Sequence, residues 1–306
     1  MLTTKLISNI KRRVTMPANQ RLMDDDDILE ICDTVIMEKM IPEIISLRQN
    51  YFVTTSDISL TEGVDSYPIP YRAMGRTLRD LKVKFTDGSK SDLSLLDVED
   101  EHLHGTGNTI PSSFYFKGDK IVLVPPPCAG LSLEVWWEMP PSRLIKEANA
   151  AKVASVVNDS VTVVSLPSDI TSSVDVDIID GKPGFCTYAY DMAISSISGN
   201  TINFNPGALD NITVSGGDYI TLVETSPLVQ LPRECTPFLE TLAARRVLQA
   251  IGDFEGLKML SPDEEDDLKQ MRRLLEPRIR GEATKIVHRK GLLRGSGYRF
   301  RRGVIY

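Results

Sequence analysis

Histidine and cysteine are scarce in this chain, three of the former and four of the latter among 306 residues. Cys32, Cys128, Cys186 and Cys235 stand far apart with no CxxC spacing, which leaves no pattern for a zinc site or a dense disulfide framework. They read as reduced, partly buried thiols. The one close histidine pair, His102 and His104, would need His288 from a basic region as a third ligand, so a loop pair is preferred to a metal site. Long apolar runs are missing too: none approaches the ~20 residues a membrane-spanning helix requires. The opening MLTTKLISNIKRR carries its charges after its apolar residues, the reverse of a signal peptide. The expectation is a protein made and kept in a cytoplasm, where Asn211-Ile212-Thr213 meets no glycosylation machinery and is a loop asparagine.

Catalytic signatures are equally thin. Gly105-Thr106-Gly107 lacks the lysine and following helix of a phosphate loop and opens no dinucleotide fingerprint. No serine sits in GxSxG, the histidines offer no general base for a triad, and carboxylate pairs without a pocket carry no weight for glycoside hydrolysis. We therefore expect no enzyme activity, no cofactor and no metal. The run Asp24 to Asp27 lacks the alternate spacing and glycine turn of a calcium loop and suits a helix start, where negative charge is favoured. Trp136-Trp137 is read as a strand pair with one ring in the core and the other against a neighbouring element, because adjacent strand residues face opposite sides.

What is present is an uneven charge and a clear change of texture along the chain. Net charge is −7, yet residues 270–306 hold eleven Lys or Arg against two Glu, leaving −16 for residues 1–269. Such a body lacks the continuous positive footprint that wrapping nucleic acid demands. Residues 1–50 read as helices. Leu6, Ile7, Ile10 and Val14 recur at helical spacing after Thr3 and Thr4, either of which fits a cap. Ile28, Ile31, Val35 and Ile36 form the stripe of a second helix that Pro42 kinks or ends.

Residues 51–146 read as a β region, with strands at Leu81 to Phe85, Ser113 to Phe116, Lys120 to Val124 and Leu131 to Glu138, and a tight turn at Lys117-Gly118-Asp119. Beyond the connector PPSRLIKEANAA, residues 147–228 read as an inserted β subdomain, a small barrel or sandwich built from VASVV, SVTVVSL, VDVDIID, TINF and DYITLV. Helices return over 229–285. One has Thr236 as N-cap, Pro237 at its first position and an apolar face of Phe238, Leu242, Ala243, Val247 and Ile251 ending near Gly252. The other has Ser261-Pro262-Asp263-Glu264 as a capping-box start, Leu268, Met271 and Leu275 as its stripe, acids in its first turn and Arg272, Arg273, Arg278 and Arg280 in later turns. Residues 286–306 form an extended basic arm. The expected fold class is α+β: a helical bundle formed by both chain ends, with a projecting antiparallel β region that contains the inserted subdomain.

Two stretches carry a resemblance: YFVTTSDISLTEGVDSYPIPYRAMGRTLRDLKV, residues 51–83, and FYFKGDKIVLVPPPCAGLSLEVWWEMPPSRL, residues 114–144. Together they resemble the head-to-tail adaptor (head completion, or connector) proteins of tailed bacteriophages, especially short-tailed ones. The resemblance implies a virion protein at the head-tail junction. It implies a helical bundle under the portal protein, a β region facing the tail nozzle or tube proteins, and a C-terminal segment reaching into the portal. It also implies a homo-oligomeric ring, usually of twelve copies, through which genomic DNA passes without sequence-specific binding. The stretch 147–228 has no counterpart in the minimal family. Other readings are a different tail component (tail-tube, tail-terminator or fibre-attachment protein) and a nucleic-acid-binding module that uses the basic end.

These readings differ in what the arm binds, and beside an acidic body it reads better as a docking arm for the portal or another protein partner. From Arg289 onward, six basic residues and four glycines replace any helical pattern, which predicts an extended, mobile segment. Arg289, Arg294, Arg299, Arg301 and Arg302 supply forks for partner carboxylates, and Tyr298, Phe300 and Tyr306 supply rings for apolar grooves. Strict alternation through Tyr298-Arg299-Phe300-Arg301 would put rings on one face of a strand and guanidiniums on the other, which suits strand addition to a partner's sheet. The same residue types can stack on bases and pair with phosphates.

Overall fold

The computed structural model describes residues 1–15, 23–99, 107, 109–182, 187–210 and 212–276. Helix α1, Thr3–Arg13, buries Leu6, Ile7 and Ile10 along one face, with Val14 just beyond. Neither Thr3 nor Thr4 caps it. The N-cap position is Leu2, and Thr3 lies fully buried inside the first turn with its Oγ1 donating to the Ile145 carbonyl at 2.8 Å. Tertiary pairing replaces the cap: the Thr3 amide donates to Pro227 O, and the Val229 amide to Met1 O.

Helix α2, Asp25–Val35, begins after Asp24, whose amide donates to the Asp27 carboxylate at 2.9 Å, so the aspartate run is a helix start. The break expected at Pro42 takes the form of a π-helical turn, Ile36–Met40, followed by helix α3, Ile41–Leu47, with Pro42 in its first turn. A wider turn there opens the hydrogen-bond ladder where proline has no N–H to give.

Eight strands follow: β1 (Val53–Ser59), β2 (Ser66–Pro68), β3 (Leu78–Lys84), β4 (Lys90–Asp92), β5 (Ser94–Leu95), β6 (Ser113–Lys117), β7 (Lys120–Val124) and β8 (Ser132–Glu138). They make two four-stranded sheets, ordered β1-β8-β3-β4 and β2-β7-β6-β5. Gly118, at φ +65°, makes the two-residue turn that sets Lys117 opposite Lys120. Leu81 and Val83 of β3, Ile121 and Leu123 of β7, and Leu133, Val135 and Trp137 of β8 form one core between the sheets. Trp137 is fully buried and Trp136 half-buried, as the alternation requires.

The stretch read as a plain connector contains strand β9, Arg143–Leu144. Beyond it, β10 (Ala151–Val157), β11 (Ser160–Val163), β12 (Asp175–Ile179), β13 (Thr187–Ser198), β14 (Thr201–Phe204) and β15 (Tyr219–Leu222) close into a barrel ordered β10-β11-β14-β13-β12-β15. Closure comes from Ala151 and Lys152 pairing with Ile220 and Tyr219, and the inward positions, Val153, Val161, Ile178, Ile194, Ile202 and Ile220 among them, fill the interior. The longest strand, β13, escaped sequence reading because polar residues interrupt its alternation. The short strand β16, Thr225–Ser226, then lies parallel to β9, so the chain leaves the barrel beside the place where it came in.

Helix α4, Thr236–Ile251, starts after a 3-10 turn at Arg233–Cys235 that takes the cap position from Thr236. It ends at Gly252, which adopts φ +81°. Phe238, Leu242, Ala243 and Val247 are buried, while Ile251 at the end of the expected face is exposed. Helix α5, Phe254–Leu275, departs most from expectation. Its N-cap is Asp253, which accepts from the Gly256 amide, and Ser261-Pro262 lies inside the helix. Pro262 sits on an exposed face, where water can satisfy the carbonyl it leaves unpaired, and Ser261 Oγ bonds back to Leu257 O at 3.2 Å. The acidic run therefore falls in mid-helix, where Glu264 pairs with Arg245 and Asp267 accepts from Thr241. Arg278 and Arg280 lie outside the described residues. One hydrophobic core gathers Leu6 and Ile10 of α1, Ile28 and Val35 of α2, Ile44 of α3, Leu239 and Val247 of α4, and Met271 and Leu275 of α5.

Candidate functional site

The sheets, the barrel and the helices are tied together around a buried arginine. Arg72 follows β2 in the turn Ile69-Pro70-Tyr71-Arg72 and is only 6% exposed. Its guanidinium meets Asp177 of β12 in a fork, NH1 to Oδ1 at 3.0 Å and NH2 to Oδ2 at 2.8 Å. Val176 and Ile178 point into the barrel, so alternation turns Asp177 outward, toward the sheets.

The barrel wall is bent to receive this pair. Between Val176↔Met192 and Ile178↔Ala189 a β-bulge sets Tyr190 and Asp191 opposite Asp177, with Asp191 held at φ +57°. That turn aims the Asp191 amide at Asp177 Oδ1 (3.1 Å) and leaves the Asp191 carboxylate to accept from Tyr71 at 2.6 Å. Across the site, Glu224, at φ +60° between β15 and β16, donates its amide to Asp177 Oδ2 at 3.0 Å. Asp177 thus accepts from a guanidinium and two amides, and both amides belong to residues in the left-handed region, a strain this network must offset. The Tyr190 ring lies 5.7 Å below the guanidinium carbon and edge-on to Trp137 at 5.9 Å, which joins the junction to the core of the sheets.

The helices join through Asp33 of α2. Its Oδ1 accepts the Leu144 amide at 2.9 Å, fastening β9, and β9 in turn holds β16 and Glu224, whose carbonyl accepts the Arg143 amide at 2.8 Å. Oδ2 of Asp33 is buried without a hydrogen bond; the nearest cation, Arg143 Nε, stands 3.7 Å away. Burial pushes this carboxyl up to about 6, against the opposing pull of the Leu144 amide and Arg143. A carboxyl raised in the folded state binds its proton more tightly there than in the unfolded chain, so its contribution makes stability fall as pH rises from about 4 to about 6 and leaves it flat above. Asp33→Asn, which keeps the Leu144 bond, is expected to remove that slope and raise stability at pH 8 by about 1–2 kcal/mol after allowance for partial solvent screening. Urea titrations of both proteins at pH 5 and pH 8 check it, and a variant less stable than the parent at pH 8 would sink the assignment.

Two hollows flank Arg72. One, about 430 Å³, opens between α2 and the 140–143 segment, with Glu30, Asp33, Met37, Pro141, Arg143 and Glu224 in its walls. The other, about 310 Å³, lies between β1 and the bulge and is lined chiefly by Ile58, Pro68, Pro70, Tyr71, Trp137 and Tyr190. Arg72 is the wall they share, its guanidinium held from behind by the buried Asp177, which opens into neither hollow. Of the three described cysteines, Cys32 and Cys235 are buried, with thiols pushed upward by burial, Cys235 to about 12, which keeps them protonated and poor nucleophiles.

The sequence reading placed its site elsewhere. Arg289, Arg294, Tyr298, Arg299, Phe300, Arg301, Arg302 and Tyr306 all lie outside the described residues, as do His102, His104, Cys186, Asn211 and His288. It passed over Arg72, Asp177, Asp191 and Asp33. One signal was present: VDVDIID puts an aspartate between apolar residues in a strand, and an acid there must find a partner from another element. Among the described residues no group of three His, Cys, Asp or Glu is placed to hold a metal ion, and no helix is long and apolar enough to cross a membrane. A scan against protein-family models finds no match for this chain, and a search of the curated proteins finds none either.

Proposed function

We propose that the chain is a structural virion protein, a head-to-tail adaptor that assembles as a ring beneath the portal, lengthens the DNA channel and offers a platform for the tail. The observation that supports this reading is the hydrophobic core shared by the helices before the strands and the helices after them, between which the sheets and barrel form a single excursion. Such a layout gives a subunit two separate surfaces, a helical one for the neighbour above and a β one for the neighbour below. A rigid junction at Arg72 suits a part that bears load between them. The charge division supports the reading as well. Residues 277–306 hold nine Lys or Arg against one Glu, while the rest of the chain is acidic, so a ring of these bodies would repel the duplex in its channel instead of gripping it. No covalent step is required of it.

Removing residues 289–306 tests this. The truncated protein is expected to retain its circular dichroism and lose docking on isolated portals, measured by co-sedimentation and electron microscopy. Undiminished docking would count against the arm as the portal contact. Tight, salt-sensitive binding of naked duplex by the full chain, lost on truncation, would favour the nucleic-acid module instead.

A further inference from the structure

We propose that the cleft between α2 and the 140–143 segment is a docking site for an arginine of the chain's own C-terminal segment, residues 277–306. Its floor is apolar, with Pro140, Pro141 and half-exposed Met37, and its walls carry carboxylates. That combination fits a guanidinium, whose three-carbon stem packs on apolar surface while the fork pairs with acids. Arg72 adds little positive field here, because Asp177 neutralises it from behind. The acids that remain are Glu30, Asp33 and Glu224, facing Arg143 and the already paired Arg72. Glu30 is exposed and makes no ion pair with any described residue, and the Glu224 side chain is 56% exposed, its closest cation being Arg72 at 3.9 Å. Arg143 is itself 69% exposed and makes no hydrogen bond to Asp33, so it can swing aside.

The place where the described chain ends selects the occupant. The last turn of α5 lies against α3: Arg272 pairs with Glu43, and Arg48 Nε donates to Leu275 O at 3.0 Å. From Glu43 the same helical run leads back through the π turn to Met37 at the cleft, about 9 Å at 1.5 Å per residue. Thirty residues follow Glu276, a reach of up to ~100 Å, and they carry a net +8 against a body of −15. A segment tethered this close is present at an effective concentration in the millimolar range, far above that of a second copy in dilute solution. The occupant is therefore the segment of the same chain, not of a neighbour.

The test uses the free full-length protein and does not depend on the adaptor reading. A photo-crosslinker carried on Met37→Cys is expected to react with residues 277–306, located by mass spectrometry. Yield should fall about ten-fold in Glu30→Gln/Glu224→Gln and at 0.5 M salt, because the pairing is electrostatic and exposed at one side. A mixture of isotopically light and heavy chains should give crosslinks within chains only. Crosslinks that map elsewhere, that persist unchanged in the charge-neutral variant, or that join light to heavy chains would overturn the proposal. Undiminished docking of the truncated protein on portals, which would count against the adaptor reading of the arm, would by contrast leave this proposal standing.

Discussion

Arg72→Met is expected to cost about 3–5 kcal/mol of folding free energy, because the substitution keeps most of the side chain's apolar volume while stranding Asp177, which is 0% exposed, without its cation. An exposed ion pair of the same chain, such as Lys269 with Glu265, should by comparison be worth less than 1 kcal/mol. Asp177→Ala should cost at least as much as Arg72→Met. It removes the acceptor for the guanidinium and for the Asp191 and Glu224 amides together, and those two residues would then hold left-handed backbone with nothing to offset it. The two changes share one network, so the double variant should be less destabilised than the sum of the singles by 1 kcal/mol or more. Urea denaturation followed by circular dichroism measures all three. If Arg72→Met unfolds within 1 kcal/mol of the parent, the junction is not what holds barrel and sheets together.

Trp137→Ala is the second large effect, about 3–5 kcal/mol, from loss of the most voluminous fully buried side chain and the cavity it leaves between the sheets. The ring does more than fill space. Its Nε1 donates to Ser56 Oγ at 3.2 Å, tying β8 to β1, and its contact with Tyr190 carries the packing into the barrel. Trp137→Phe keeps much of the volume and forgoes the hydrogen bond, so a loss of about 1–2 kcal/mol is expected. Both tryptophans of the chain sit on β8, so their emission reports this sheet and its contact with Tyr190, and circular dichroism reports the whole fold. A Trp137→Ala loss below 1 kcal/mol would mean that the core between the sheets closes over the gap.

On the adaptor reading that we propose, a subunit that passes force from one ring to another gains from a barrel held at a fixed angle, and a buried, bidentate pair with two amide supports is a stiff way to hold it. The cleft that we assign to the C-terminal segment lies against the same arginine, so an occupant there would also touch the junction from outside.

Much of the architecture was decided locally and could be read as such. The apolar stripes of α1, α2 and α4, the strands β6, β7 and β8, and the barrel segments follow from side-chain periodicity, which short-range sterics and burial enforce wherever the chain is placed. The aspartate run begins α2 for the same reason, since a helix N-terminus favours acids in any fold. Where neighbours distant in sequence supply the hydrogen bonds, local rules lost. Ile145 O claims the Thr3 hydroxyl and Pro227 O its amide, so a cap became a buried residue. At Asp253 a cap with a side-chain bond to Gly256 starts α5 earlier than the Ser261-Pro262 signal, and the tolerance of an exposed face for proline lets the helix run on.

The junction belongs wholly to this second class. Arg72 and Asp177 are 105 positions apart, and nothing near either residue specifies the other. Asp191 takes its left-handed turn only because β13 pairs with β12 through a bulge, and Asp33 matters only because β9 is brought beneath α2. Composition and periodicity determined that this chain has helices before and after a long run of strands, and a basic end on an acidic body. Which charges are buried, and against what, was decided by the tertiary structure, because the free energy of a buried ion is set by the groups folded around it and not by its neighbours along the chain.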